Sequence, residues 1–263
     1  MRVKLREIST ERDGKPSSPE RSHLLSIRTL GRIEITYAGN PIQNWQGRSH
    51  ISRDLFLCLV AHKNGLSKEE IGAHFWPESA PVDLKARFKN AIYRLRKVLA
   101  PDVILFDGEV YQFNHELDCY CDAQAFEEFV TEAHNASSMH HEKEAYQRAV
   151  ALYNGPYLPD VDAIWAWLER ERLGQMYIDG SIRLAEIHLE YGETQQALRL
   201  CQTLLAEDQC LEEAHRLVMR IHSANGNRGA LIRQYELCQQ NLQDEFGAPP
   251  SEQTRFLFIS LTS

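Results

Sequence analysis

A cationic run in the first half of the chain is the segment whose side chains could do chemistry. Residues 84–99 contain no acidic residue, although the whole chain carries a net charge of −8. At 100° per residue the apolar positions of this segment fall along one line of a helix. The opposite side carries Asn90, Tyr93 and Lys97, flanked by Lys89 and Arg94, and the shoulders carry Lys85, Arg87 and Arg96. A helix with one apolar and one cationic face is suited to contact a polyanion.

Duplex DNA is the polyanion that this combination of side chains fits. Lys and Arg neutralise phosphates and release counterions, which supplies affinity without sequence information. Asn90 could pair with adenine N6 and N7, and Arg94 or Lys97 with guanine O6 and N7. The predicted DNA-binding residues are the helix residues Lys85, Arg87, Lys89, Asn90, Tyr93, Arg94, Arg96 and Lys97, with backbone contacts from Arg48, Arg53 and Lys63.

The segments around this helix indicate how it is held in place. Residues 24–42 alternate apolar and polar side chains, which predicts short antiparallel strands. A helix over about 52–63 ends before Asn64-Gly65, and Ser67 with Glu70 forms a capping box for the next helix. Asp83 is the expected N-cap of the cationic helix, which stops at Ala100-Pro101. The order of these elements is that of a helix-turn-helix preceded by strands.

A β-hairpin is predicted directly after the cationic helix. Asp107-Gly108 joins two β-rich runs by two residues, which is a strong hairpin signal. Strands, three helices and a hairpin make a winged helix. The hairpin turn carries Asp107 and Glu109 where a DNA-contacting wing usually carries Lys or Arg, so we expect little insertion of the wing into the minor groove.

The second half of the chain has helical periodicity from Asp118 onward. Gly192 and Gly226 are 34 residues apart, and this is the period of tetratricopeptide helix pairs. Trp165 and Trp167 are expected in the core, beside a salt-bridged surface at 169–172. The fold class is mainly α with a small β component: a winged helix-turn-helix followed by a tetratricopeptide-like α-helical bundle.

The distribution of charge separates the same two parts of the chain. Residues 23–117 hold 12 Lys and Arg against 10 Asp and Glu, whereas residues 118–263 hold 11 against 23. We therefore expect a flexible leader at 1–22, a DNA-binding domain at 23–117 and an acidic helical domain at 118–263. No apolar run is long enough for a membrane span or a signal peptide, which favours a cytoplasmic protein without membrane contact.

Several segments resemble bacterial antibiotic-regulatory activators. Residues 76–99 are similar to the recognition region of their OmpR-type winged helix, including the Leu95-Arg96 pattern near its end. The second half resembles their bacterial transcriptional activator domain in the segments "ALYNGPYLPD", "WLERERL", "EEAHRLVMRIHSANGN" and "EFGAPPSEQT". The resemblance, over about 24–261, implies binding to tandem direct repeats near promoters, recruitment of RNA polymerase and association between copies on DNA.

Two other classes of function are weighed against a DNA-binding regulator. An enzyme is disfavoured because the sequence has no G-x-S-x-G, H-E-x-x-H or P-loop pattern. No catalytic residue, cofactor or metal site is predicted, and Cys119-x-Cys121 lacks a second ligand pair at zinc-site spacing. A tetratricopeptide scaffold with a vestigial winged helix stays open, because the wing turn is acidic.

Overall fold

The alternating segment at the start of the described chain forms the strands that its period predicts. The computed structural model describes residues 23–43, 45 and 50–263. Its first strands are β1 (Leu25–Arg28), β2 (Glu34–Tyr37) and β3 (Asn40–Pro41). β1 and β2 are antiparallel and place Ile27 opposite Ile35, and both side chains are buried. The apolar side of this small sheet therefore faces the core.

Three helices and a hairpin follow, in the order expected for a winged helix-turn-helix. The elements are α1 (Ile51–Ala61), β4 (Leu66–Ser67), α2 (Lys68–Phe75), α3 (Pro81–Val98), β5 (Ile104–Phe106) and β6 (Val110–Phe113). The last two strands form the wing, and β4 adds to its edge in the order β4-β6-β5. α1 packs against both α3 and β6, so it lies at the centre of this unit.

Two local boundaries differ from the sequence prediction. α3 begins at Pro81, with Ala80 as its N-cap, so Asp83 lies in the first turn and is not the cap. Proline suits the first helical position because the N–H that it lacks would have no partner there. In the wing, Phe106 pairs with Tyr111 and Asp107 N–H donates to Val110, which leaves Gly108-Glu109 as the two-residue turn.

The prediction that everything after Asp118 is helical was wrong at one strand. β7 (Cys119–Cys121) pairs parallel with β1 and completes the first sheet in the order β3-β2-β1-β7. Three residues are too few for a period to be visible. Pairing with a strand more than 90 positions earlier is what fixes this conformation.

The remainder of the chain is helical, close to the predicted bounds. The helices are α4 (Asp122–His134), α5 (Met139–Leu152), α6 (Ile164–Glu190), α7 (Thr194–Glu207), α8 (Glu212–Ala224), α9 (Arg228–Phe246) and α10 (Glu252–Thr262). Consecutive helices from α4 to α9 pack against one another. Gly192 and Gly226, with φ of 74° and 68°, occupy equivalent turns of the repeat. The predicted fold class is confirmed.

The junction between the two parts of the fold is held by polar groups. Asp122, which is 5% exposed, accepts hydrogen bonds from the backbone N–H groups of Thr29, Leu30 and Ala123 and from the Thr29 hydroxyl. Leu30 also forms a β-bridge with Tyr157. These contacts fasten the first sheet to the beginning of α4 and to the segment before α6.

One aromatic side chain lies where the sequence did not place it. Trp165 is buried as predicted, but Trp167 is half exposed, so its assignment to the core was wrong. No helix in the described part of the chain combines the length and the hydrophobicity needed to cross a bilayer.

Candidate nucleic-acid interface

The helix α2, which lies between α1 and α3, begins with a capping box. The Ser67 hydroxyl accepts from Glu70 N–H at 3.2 Å, and Glu70 accepts from Ser67 N–H at 2.7 Å, which is the predicted capping box. At Gly72 the absence of a side chain lets α2 lie close to α3, because a Cβ there would sit 2.7 Å from Leu84 Cδ2. The start of α2 and its contact with α3 are thus fixed by local chemistry.

α3 buries the apolar stripe that its sequence predicts. Phe88, Ile92, Leu95 and Leu99 are at most 7% exposed, and Leu84 is half-buried. Burying each of these large side chains contributes about 1.5–3 kcal/mol. The stripe therefore anchors the helix and determines which side faces solvent.

The opposite side of α3 is open to solvent. Every residue of this helix in the predicted DNA-binding set is exposed: Lys85, Arg87, Lys89, Asn90, Tyr93, Arg94, Arg96 and Lys97. None of these cations forms an ion pair with an acidic group of the described residues. We call these eight side chains the α3 face. It presents positive charge that no other part of the described chain neutralises.

Two side chains of the α3 face contact each other. Lys97 Nζ lies 5.0 Å from the centre of the Tyr93 ring. The neighbouring Tyr93 side chain raises the pKa of Lys97 above its ordinary value. The contact orders two flexible side chains on the exposed surface.

A groove between α3 and the wing adds Lys68 and Tyr111 to the candidate interface, and neither residue was predicted from the sequence. The groove has a volume of about 420 Å³ and an apolar floor that includes Phe88 and Ile92. Lys68, Lys85, Lys89 and Arg96 line it, together with Tyr93 and Tyr111. Lys68 directly follows the N-cap Ser67, so the sequence indicates that it begins α2. Its place beside α3 depends on how α2 packs against α3.

The wing is held against α3 by aromatic contacts. The Tyr111 ring lies 4.8 Å from Phe88 and stacks on Phe106 at 4.4 Å between ring centres. Asp107 accepts hydrogen bonds from Glu109 and Val110 N–H, which lower the pKa of its carboxyl group. Asp107 thus stabilises its own turn, and Glu109 is the exposed acid at the tip.

Two of the three backbone contacts predicted outside α3 lie within the described residues, and each has other neighbours there. Arg53 is bonded to Asp54 Oδ1 at 2.9 Å, and its side chain is only 13% exposed. Lys63 lines a different cavity, together with Glu169 of α6 and Gln124 of α4. Arg48 lies outside the described residues.

Comparison with known proteins places the second half in a named family. The model of the bacterial transcriptional activator domain matches residues 121–261, which is more than half of the chain. Among solved structures, Mycobacterium tuberculosis EmbR in complex with a low affinity phosphopeptide has the same fold, with a TM-score of 0.77 and 18% identity. The similarity covers 92% of this chain and 65% of that one.

Two curated relatives extend the similarity across both halves. Regulatory protein AfsR of Streptomyces coelicolor is 24% identical over 242 residues, and AfsR of Streptomyces griseus is 23% identical over 246 residues. These alignments cover 91% and 89% of this chain but 24% of each relative, so the chain spans about a quarter of their length. The chain belongs to the bacterial transcriptional activator domain family.

Proposed function

We propose that this chain is a sequence-specific regulator that binds double-stranded DNA and activates transcription. The α3 face carries the proposal, because an apolar stripe anchors the helix and leaves its cations, Asn90 and Tyr93 exposed. In helix-turn-helix proteins the corresponding helix enters the major groove. Asn90 and Arg94 then lie where base edges can be read, and the remaining cations contact phosphates.

The groove beside α3 supports a second contact with the same duplex. Four cations around an apolar floor suit a sugar-phosphate strand, whose phosphates are anionic and whose sugars are partly apolar. Lys68, Lys85, Lys89 and Arg96 would each neutralise a phosphate as the strand passes between α3 and the wing. Because Glu109 repels phosphates, we propose that the wing contributes through its base and not through insertion of its tip.

Salt dependence tests the electrostatic part of the proposal. Each phosphate contact lowers the slope of log affinity against log salt by about 0.9, so four groove cations predict a slope of about −4 or steeper. Changing Lys89→Glu and Lys97→Glu together should abolish duplex binding while the circular dichroism spectrum stays unchanged, because both side chains are exposed. Arg228→Glu and Arg233→Glu together, at two exposed positions of α9, are the matched control and should leave the affinity within about twofold.

Asn90→Ala tests sequence readout. Loss of a bidentate contact with adenine should cost about 1–3 kcal/mol at one base pair and little on scrambled duplexes. The binding site is first obtained by selection from random duplexes at low salt. An equal loss on every sequence would show that Asn90 positions the backbone and reads no base.

The proposed partners follow from the family and from the resemblance. A transcriptional activator must meet RNA polymerase, and the antibiotic-regulatory group implies tandem direct repeats with copies associated on DNA. We propose residues 23–117 as the DNA-binding domain and 118–263 as the domain for protein contacts, with β7 joining them. Binding to chromosomal DNA would place the protein in the cytoplasm.

The alternative is a scaffold whose winged helix no longer binds DNA. The acidic wing tip, with Asp107 engaged in its own turn and Glu109 exposed, is the observation that favours it. If the wild-type chain enriches no duplex in the low-salt selection, the scaffold replaces the regulator.

A further inference from the structure

A cavity lies where the winged helix meets the helical part of the chain, and its volume is about 210 Å³. The winged helix contributes Lys63 and Phe113, and β7 contributes both of its cysteines. The helical part contributes Tyr157, Glu169 of α6 and residues of α4. We call this space the junction cavity. Because ligand sites form preferentially between domains, it is a candidate site separate from the α3 face.

Tyr157 supplies a buried hydroxyl group that the rest of the protein does not use. Its side chain lines the junction cavity, and the residue is only 5% exposed. The hydroxyl forms no hydrogen bond with any residue that the structure describes, although the backbone carbonyl of Tyr157 accepts from Arg170 at 2.7 Å. A buried hydroxyl without a partner costs free energy, which is recovered when a ligand bonds to it. Tyr157 therefore provides a polar anchor for a ligand.

Neutral groups form another part of the wall of the junction cavity. Phe113 is 5% exposed, and Cys119 and Cys121 are free thiols. Burial raises the pKa of Cys119 to about 12 and that of Cys121 to about 11, so both thiols are uncharged at neutral pH. An uncharged cysteine behaves as a small hydrophobic residue. This part of the cavity is thus suited to an apolar group of a ligand.

Charged groups of both signs also line the junction cavity. Lys63 is exposed and forms no ion pair with an acidic group of the described residues. Glu127 and Glu169 lie in the same wall, and Arg172 donates to both of them. Partial burial raises the pKa of Glu169, and the nearby charge of Lys63 opposes this shift without forming an ion pair. One guanidinium group for two carboxylates leaves negative charge close to an unpaired cation.

We propose that the junction cavity binds a zwitterion of the size of an amino acid, with an apolar side chain. Its carboxylate binds Lys63 and accepts a hydrogen bond from the Tyr157 hydroxyl, and its ammonium group binds Glu169. Its side chain packs on Phe113 and the two thiols of β7. The volume is below the roughly 300–1,000 Å³ of sites for drug-sized ligands, so the ligand is small.

A ligand in the junction cavity contacts both parts of the chain. Lys63 follows α1, which packs on α3, and Glu169 belongs to α6. Such a ligand stabilises this arrangement of the two parts and is therefore linked to binding at α3. The effect of the ligand on DNA affinity rests on the proposed function, whereas the binding of the ligand itself does not.

Isothermal titration calorimetry of the full chain with each common L-amino acid at millimolar concentration tests this inference. We expect amino acids with apolar side chains, such as L-leucine, to bind one molecule per chain. Lys63→Met should lower the affinity for L-leucine at least ~10-fold, and Tyr157→Phe should lower it several-fold without destabilising the fold, because its hydroxyl bonds to no described residue. Lys85→Met, at an exposed position of α3 outside the cavity, is the matched control and should bind normally.

Two analogues of L-leucine separate the contributions of the charged groups. Isocaproate lacks the ammonium group and isoamylamine lacks the carboxylate, so each should bind at least ~10-fold more weakly than L-leucine. Lys63→Met should leave the affinity for isoamylamine unchanged, because that analogue has no carboxylate. Binding of either analogue as tightly as L-leucine would overturn the assignment of a zwitterion.

The outcomes also distinguish this inference from the proposed function. A folded wild-type chain that binds none of the amino acids would overturn the junction cavity as a site and leave DNA binding standing. L-leucine that binds but changes duplex affinity by less than about twofold would overturn the link to α3. A wild-type chain that binds L-leucine but no duplex would overturn the proposed function and support the site.

Discussion

Replacing Asp122 by alanine should unfold the junction between the sheet and the helices more readily than any other single polar substitution there. The carboxylate accepts from Thr29 N–H at 2.8 and 2.9 Å, from the Thr29 hydroxyl at 2.8 Å and from Leu30 N–H at 3.0 Å. It also begins α4, where a negative charge interacts favourably with the helix dipole. One side chain therefore satisfies donors that are distant in sequence.

The expected loss follows from what alanine leaves behind. The N–H groups of Thr29, Leu30 and Ala123 would lose their acceptor, at about 1–3 kcal/mol for each that is left without a partner. The lost charge at the start of α4 adds about 0.3–1 kcal/mol. Since contributions within one network are not additive, we expect a decrease of about 3–5 kcal/mol in the free energy of unfolding. That is a large share of the 5–15 kcal/mol that is typical of a folded protein.

Urea denaturation followed by circular dichroism measures this loss, with Thr29→Val as the matched control. Valine removes only the hydroxyl bond and keeps both backbone donors paired with Asp122, so it should cost about 1 kcal/mol. A decrease below about 1 kcal/mol for Asp122→Ala, with an unchanged slope against urea, would refute the view that Asp122 fastens the two parts of the fold.

Three further predictions concern other contacts. Gly31→Ala should destabilise the chain by about 2–4 kcal/mol in the same assay, because φ is 92° and a Cβ would lie 2.8 Å from the Asn154 carbonyl oxygen; Gly39→Ala, with open space around it, should cost less. Cys201 is buried, and burial raises its pKa to about 12, so it should react with a thiol reagent at pH 8 only after unfolding; rapid modification in the native state would contradict this packing. Hydrogen bonds from Lys143 and His188 lower the pKa of Glu193 in the folded state. Its contribution to the free energy of unfolding is therefore present above the pKa that Glu193 has in the unfolded chain, and it is lost as the pH falls through the lower pKa of the folded state. An NMR titration of Glu193 should show this lowered pKa, and Lys143→Met should shift it upward.

Much of the fold could be predicted because periodicity and caps act over short distances. The helix ends near Gly192 and Gly226, the capping box at Ser67 and the buried stripe of α3 each depend on residues within a few turns. β7 could not be predicted, because three residues carry no readable period and the conformation depends on pairing with β1. The start of α3 was missed for a smaller reason, since both Pro81 and Asp83 are acceptable near a helix N-terminus.

The candidate site also combines features that the sequence predicts with features that depend on packing. Helical geometry alone places Lys89, Asn90 and Lys97 on the side opposite Leu95, so their exposure followed from the sequence. The arrangement of Lys68 and Tyr111 around the same groove depends on how α2 and the wing pack against α3. The ion pair that joins the Arg53 guanidinium group to Asp54 was likewise not predicted.

The helical periods, the cationic side of α3 and the acidic character of the second half depend on residue type and local spacing, so a linear reading of the residues is enough to predict them. Tertiary structure decided which groups meet across long sequence separations. Asp122 meets Thr29 only when β7 pairs with β1, and Trp165 meets His62 only when α6 packs beside the end of α1. Such contacts depend on the packing of distant segments, which no local pattern encodes.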